Sequence, residues 1–332
     1  MCTSPLFRIT RAYIDKKSER CDTFFAKYTK ELEVKRDYKP PYYRVEKIAC
    51  GNCLECRMEY AKQWAVRCVK EAELYENNIM MTLTYNAENV PIKINKETGE
   101  CNLSLKKKDH QDFMKRLRKA YPGTKIRFML CGEYGEKFKR PHYHIICFNL
   151  KVEDLEKYKL KKCEWSSQQN WLYKSKKIEK IWGKGFVDLN EVNFETCRYV
   201  AGYVTKKLKG LGAITEYDNK GIERPYICMS RNPGLAEAYF QKNKEKFING
   251  EKKIWTQTKK GLQEINPGRY FDKLIEKENP EALKKIKKQR LERSKEILKI
   301  TLEQTSLNQD ELREQKELIN QQKFSKYKRT LE

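Results

Sequence analysis

The sequence predicts an α+β fold: a central antiparallel sheet flanked by helices, followed by a helical C-terminal extension. Three observations predict it. Short apolar runs of strand length alternate with segments of helical periodicity between residues 54 and 208. Two of the strand-like runs, 125–131 and 142–150, are joined by a Gly- and Pro-bearing link that suits a hairpin. From Pro280 onward the chain is rich in Lys, Glu, Gln and Leu and nearly free of helix breakers.

Residues 1–48 read as short strand-like pieces with a Pro40-Pro41 break, and form a segment of unclear role. Residues 54–75 read as a helix with Trp64, Ala65, Cys68 and Val69 on its buried stripe. Residues 79–85 form a strand, 91–99 a turn-rich insertion, and 106–120 a helix. In that helix Phe113, Met114 and Leu117 face inward, with Arg116, Arg118 and Lys119 outward. The paired strands 125–131 and 142–150 come next, then a charged stretch, 151–180, expected to be helical in places. A short strand at 185–192 leads into a helix at about 194–208. The spacing of Leu283, Ile286, Leu291, Ile297, Leu298 and Ile300 predicts one or two long helices without sustained heptads. The domain reading is 1–48, 49–271 and 272–332.

The chain has three histidines, and two of them stand in Arg140-Pro141-His142-Tyr143-His144-Ile145-Ile146-Cys147-Phe148. A strand sends alternate side chains to one face, so His142 and His144 can hold one ion. The apolar run behind them is expected to be the rest of a half-buried strand. Glu133, in Cys131-Gly132-Glu133-Tyr134-Gly135, would lie beside both histidines once the hairpin forms. Two imidazoles and a carboxylate with open positions suit a divalent ion that also holds a substrate oxygen.

Downstream lies Arg198-Tyr199-Val200-Ala201-Gly202-Tyr203-Val204-Thr205-Lys206-Lys207. Tyr199 and Tyr203 are one helical turn apart, and Lys206 and Lys207 continue the stripe. The pattern fits tyrosines packed on a sheet with solvated lysines. It fits equally a pair of nucleophiles with a cation beside them. Tyrosine attacks poorly at its ordinary pKa of ~10 unless a nearby charge or a polarised target assists it.

Together these motifs resemble the HUH family of rolling-circle replication initiators, and more closely the replication initiators of microviruses of the gokushovirus type. Met80-Met81-Thr82-Leu83-Thr84-Tyr85 resembles the family's first motif; Glu133, His142 and His144 match its metal motif, and Tyr199, Tyr203 and Lys206 its two-tyrosine motif. Cys50-Gly51-Asn52-Cys53-Leu54-Glu55-Cys56-Arg57, Gln63-Trp64-Ala65-Val66-Arg67-Cys68 and Asn266-Pro267-Gly268-Arg269-Tyr270-Phe271-Asp272-Lys273-Leu274 are similar to the gokushovirus branch. The resemblance covers the chain from about Cys50 onward. It implies an HUH endonuclease domain that nicks origin DNA with Mg2+ or Mn2+, forms a 5′-phosphotyrosine link and rejoins the strand. It also implies single-stranded DNA as partner, a host helicase and polymerase, and the bacterial host's cytoplasm. A water-activating nuclease, an HUH relaxase or transposase, and a non-catalytic nucleic-acid binder are the competing classes. The third ligand is Glu133 or the nearby Glu136.

Composition agrees. The net charge is +25, and residues 1–271 hold 55 Lys and Arg against 34 Asp and Glu, so the basic excess falls on the part bearing the motifs. No run approaches the ~20 apolar residues of a membrane span, and the start lacks a signal-peptide core. No G-x-x-x-x-G-K-[ST] loop occurs in the 332 residues. The 12 cysteines are expected to be thiols or metal ligands. Cys50, Cys53 and Cys56 have zinc-ligand spacing, with Cys68 as a possible fourth. Cys68, however, would sit about 18 Å along the helix from Cys56. A zinc site and a plain structural knuckle both remain open.

Overall fold

The computed structural model describes residues 6–15, 18–27, 44–135, 137–162, 169–206, 211–250, 254–258 and 261–325. The chain divides into two compact units, one of Met1–Tyr60 with Ile297–Lys328 and one built on Ala61–Glu296. In the first unit, β1 (Leu6–Asp15) pairs antiparallel with β2 (Ser18–Lys27) on one side and β3 (Arg44–Ile48) on the other. The Pro40-Pro41 break lies outside the described residues.

Helix α1 (Leu54–Ala72) precedes β4 (Asn78–Tyr85), and a small hairpin follows, β5 (Ile92–Ile94) with β6 (Cys101–Leu103). Then come α2 (Lys107–Ala120), β7 (Arg127–Tyr134), β8 (Pro141–Phe148), β9 (Glu156–Lys162) and β10 (Gln169–Lys174). They are followed by α3 (Lys176–Trp182), β11 (Gly185–Glu191), α4 (Phe194–Lys206) and β12 (Tyr226–Met229). Seven of these strands form one antiparallel sheet in the order β12-β7-β8-β4-β11-β10-β9. This is the α+β architecture the sequence predicts.

The sheet is covered on both faces, and strand alternation decides which residue goes where. Tyr143, Ile145 and Cys147 of β8 join Met81, Leu83 and Tyr85 of β4 in a core with Phe113, Met114 and Leu117 of α2 and Trp182 of α3. Ile146 and Phe148 face the other way, into a core with Ala61, Ala65, Cys68 and Val69 of α1 and Cys197, Val200 and Ala201 of α4. The apolar run after the histidines is therefore buried on both sides, not half-buried as its sequence suggested. A doubly covered strand reads as continuous hydrophobicity for this reason.

Local chemistry sets the ends of these elements. Ser175 Oγ accepts from Ile178 N–H at 3.1 Å and caps α3, while Gly183 in the left-handed region closes it. Gly185 starts β11 at φ +145, where an added Cβ would lie 2.4 Å from Thr84 O and Asn86 N. Only glycine fits that approach.

Beyond the sheet, α5 (Glu237–Lys242), α6 (Lys244–Ile248), the β13 (Ile254–Thr258)–β14 (Gly261–Ile265) hairpin and α7 (Arg269–Glu278) build a third core. Phe240, Phe247, Phe271 and Ile275 fill it, together with Leu283 and Ile286 from the first turns of α8 (Pro280–Glu303). The last helix, α9 (Gln309–Ser325), completes the helical C-terminal region. One expectation fails: 151–180 contains only the short helix α3, and its charged part is the β9–β10 strand pair. Among the described residues no helix is long and apolar enough to cross a membrane.

Candidate active site

β8 lies between the two strands that complete the site. β7 sets Glu133 opposite His142 and Cys131 opposite His144; β4 sets Thr84 opposite His142 and Thr82 opposite His144. His142 and His144 share their face with Ile146 and Phe148, so they point to the side covered by α1 and α4.

Both Nε2 atoms reach the same oxygen, Glu133 Oε1, at 2.7 Å from His142 and 3.1 Å from His144. Their outer nitrogens are held in turn. His142 Nδ1 bonds the backbone carbonyl of Arg140 at 3.1 Å, and His144 Nδ1 bonds Thr82 Oγ1 at 3.0 Å. A carbonyl can only accept, so His142 Nδ1 carries the proton. A neutral His142 then turns its bare Nε2 toward a carboxylate oxygen. That contact requires positive charge between them, either a second ring proton or a metal ion. Burial pushes the Glu133 carboxyl up, but hydrogen bonds from His142 and His144 and their charge outweigh it and hold it at about 2.

The ligand atoms of Glu133, His142 and His144 lie within 4.8 Å of one another and form a candidate metal-binding triad. Nitrogen and oxygen donors, with both outer ring nitrogens fixed, fit a divalent ion. Glu136, the other possible third ligand, lies outside the described residues.

Cys197, Val200 and Ala201 are fully buried and seat α4 over this face. Tyr199 and Tyr203, one turn apart, thereby meet the histidines. The Tyr203 ring stacks on His144 with centroids 4.7 Å apart and planes 6° from parallel. Tyr199 meets His144 edge-on at 5.2 Å, and the two tyrosine rings are 4.9 Å apart. Tyr203 is 5% exposed, whereas Tyr199 is half-buried. Burial, then the fields of Tyr199 and Glu133 and hydrogen bonds to both, push the Tyr203 phenol well above its usual pKa. Lys206 closes α4, but its side chain lies outside the described residues, as does the whole of Lys207.

Glu133, His142, His144, Tyr199 and Tyr203 therefore come together as the sequence led one to expect. Two supports were missed: the Thr82 hydroxyl and the Arg140 carbonyl. Thr82 was visible as one of two threonines alternating along β4, but only the pairing with β8 reveals its partner. Tyr217 was missed too. Its phenol is raised by burial, then by Glu216 and Glu133, and its ring stacks on Tyr134 at 5.9 Å, close to the triad.

An antiparallel sheet bearing this histidine pair and glutamate, under a helix with two tyrosines, defines an HUH-like α+β protein. Residues 78–208 match the family of the replication-associated protein ORF2. The chain is 31% identical over 269 residues to the replication-associated protein ORF2 of Spiroplasma virus 4, across 79% of this chain and 78% of that one. It is 32% identical over 163 residues to the replication-associated protein VP4 of Bdellovibrio phage phiMH2K, 48% of each chain. To the replication-associated protein ORF4 of Chlamydia phage 1 it is 30% identical over 247 residues, 71% of this chain and 56% of the relative. No solved structure matches it significantly. The chain belongs to this family of viral replication-associated proteins.

Proposed function

We propose that the protein initiates rolling-circle replication of a single-stranded DNA phage by nicking the origin strand through tyrosine transesterification and later rejoining it as a circle. The observation that carries this reading is the contact of Tyr199 and Tyr203 with His144, beside the Glu133 carboxylate. A nuclease that activates water has no use for two phenols stacked against its ligand.

In the first step a tyrosyl Oη attacks the scissile phosphorus and loses its proton. The P–O3′ bond breaks, and the 3′ oxygen takes up a proton. The products are a 5′-phosphotyrosine and a free 3′-hydroxyl. One phosphodiester replaces another, so the 3′-hydroxyl can attack the link and regenerate DNA. Mg2+ or Mn2+ held by Glu133, His142 and His144 would stabilise charge on the phosphate oxygens and offset the anionic field of Glu133. Lys206 is assigned to neutralise phosphate or phenolate charge. Tyr199, the more open phenol, takes the first strand; Tyr203, buried, cuts the regenerated origin while the first link persists.

The net charge of +25 suits single-stranded and origin DNA as substrate. With no phosphate-loop motif in these residues, strand separation falls to a host helicase and extension of the 3′-hydroxyl to a host polymerase, in the bacterial cytoplasm. The test uses a single-stranded oligonucleotide carrying the origin, labelled at its 3′ end and incubated with Mn2+. A labelled band at protein size, lost in the Tyr199→Phe/Tyr203→Phe double variant, supports transesterification. Cleavage without an adduct would replace it with hydrolysis.

A further inference from the structure

We propose that Cys50, Cys53 and Cys56 form a second metal site, of thiolate character, that takes one zinc ion. It is separate from the histidine–carboxylate triad and does not depend on what that triad does.

The three sulfurs lie within 4.8 Å of one another, and each cysteine is half-buried, open enough for an ion to enter. Zinc bonded to sulfur at ~2.3 Å in a tetrahedron holds its sulfurs about 3.8 Å apart, so the cluster closes on an ion with side-chain adjustment alone. The backbone accounts for the convergence. Gly51 at φ +73 turns the chain between Cys50 and Cys53, and nothing lies within 4 Å of the position a Cβ would take there. The Cys53 carbonyl accepts from Arg57 N–H at 3.0 Å in the first turn of α1, and that turn brings Cys56 back beside Cys53.

A second observation points to a ligand rather than to packing. Two backbone N–H groups, of Asn52 at 3.4 Å and Cys53 at 3.2 Å, donate to the same atom, Cys50 Sγ. Thiol sulfur is a weak acceptor, and two donors converging on it favour the thiolate, the form that binds metal. Cys68 takes no part. It is fully buried, and its Sγ donates to Met129 Sδ at 3.1 Å in the core of the sheet unit.

Binding exchanges three thiol protons for one Zn2+, with the fourth position open to solvent or another donor. The chain would then sort ions by donor softness, sulfur for zinc at this turn and nitrogen with oxygen for a harder ion at the triad.

The test is elemental analysis of the full-length protein purified from zinc-supplemented cells without chelators. We expect about one zinc per chain. Zinc should disappear in Cys50→Ser/Cys53→Ser/Cys56→Ser, and remain in Cys68→Ala and in His142→Ala/His144→Ala. Reconstitution with Co2+ should give the near-ultraviolet thiolate-to-cobalt charge-transfer band, again lost in the triple variant. Should the triple variant fail to fold, thiol titration of the wild type decides: chelation should expose three additional reactive thiols. A wild type without zinc, zinc retained by the triple variant, zinc lost with the histidines, or iron with sulfide in place of zinc would each overturn the proposal.

Discussion

Replacing Glu133 with Gln keeps the side chain's shape and removes its charge. The carboxyl sits at about 2 against an ordinary 4.5, even though burial pushes it the other way. Positive partners at this position thus favour the anion by about 3 kcal/mol, roughly a hundredfold or more in an equilibrium constant. Glu133 is 8% exposed, so solvent screening removes little of this. A divalent ion at Oε1 would draw on the same attraction, and Glu133→Gln should weaken Mn2+ binding about 100-fold. The assay is titration of the full-length protein with Mn2+, following the free ion by electron paramagnetic resonance near neutral pH. A linked effect has a definite sign. Because the folded-state value is depressed, the carboxylate stabilises the fold above pH 4.5, and that contribution fades as pH falls toward about 2. In chelator, the acid-side loss of stability should therefore be shallower for Glu133→Gln than for wild type. A Mn2+ affinity within about threefold of wild type would refute the reasoning, since removing a buried first ligand must cost more than that.

Other substitutions test the surrounding structure. Tyr199→Phe should abolish the first cleavage, whereas Tyr203→Phe should still cut and form the adduct but fail to release closed circles; the reverse pattern on gels would exchange their roles. Thr82→Val removes the hydroxyl that holds His144 Nδ1 and should lower Mn2+ affinity about 10- to 100-fold with the fold intact. An unchanged affinity would deny Thr82 any part in orienting the ring. Arg127 and Glu71 form a buried ion pair, in which Glu71 also accepts from Ala236 N–H at 2.7 Å and Arg127 donates to the Pro233 carbonyl at 2.8 Å. Arg127→Leu should cost about 3–5 kcal/mol in urea unfolding, and Glu71→Leu/Arg127→Leu clearly less; equal losses would mean that no uncompensated charge is left behind. Gly185→Ala should lower the thermal midpoint by several degrees, because its Cβ would collide with the β4 backbone. Unchanged stability would argue against that close approach.

The parts of the site that depend on local periodicity were legible in the sequence. Alternation put His142 and His144 on one face, hairpin arithmetic brought Glu133 to them, and helical spacing joined Tyr199 to Tyr203. What stayed hidden depends on pairings between distant segments. Thr82 and His144 meet only because β4 lies beside β8, and β12 closes the sheet against β7 from far downstream. The helical reading of part of 151–180 went wrong for a compositional reason. Glu156–Lys162 is crowded with Lys, which suits a helix surface and equally suits a sheet edge, where charge discourages pairing with other chains. The separation of Cys68 from the other three cysteines was legible, because helical rise alone places it too far from Cys56.

The double covering of β8 makes the chemistry a matter of parity. Even-numbered positions from 142 to 148 look toward the tyrosine helix, and odd-numbered ones look toward α2 and α3. Inserting one residue between Pro141 and His144 would send at least one imidazole into an apolar core and bring Tyr143 to face the nucleophiles, while two residues would restore the phase. The connection at 135–140 stands outside this rule, because its length can change without altering which side chains β8 sends up or down. Viable descendants of this chain should therefore vary freely in that loop and scarcely at all in the count of residues along the strand.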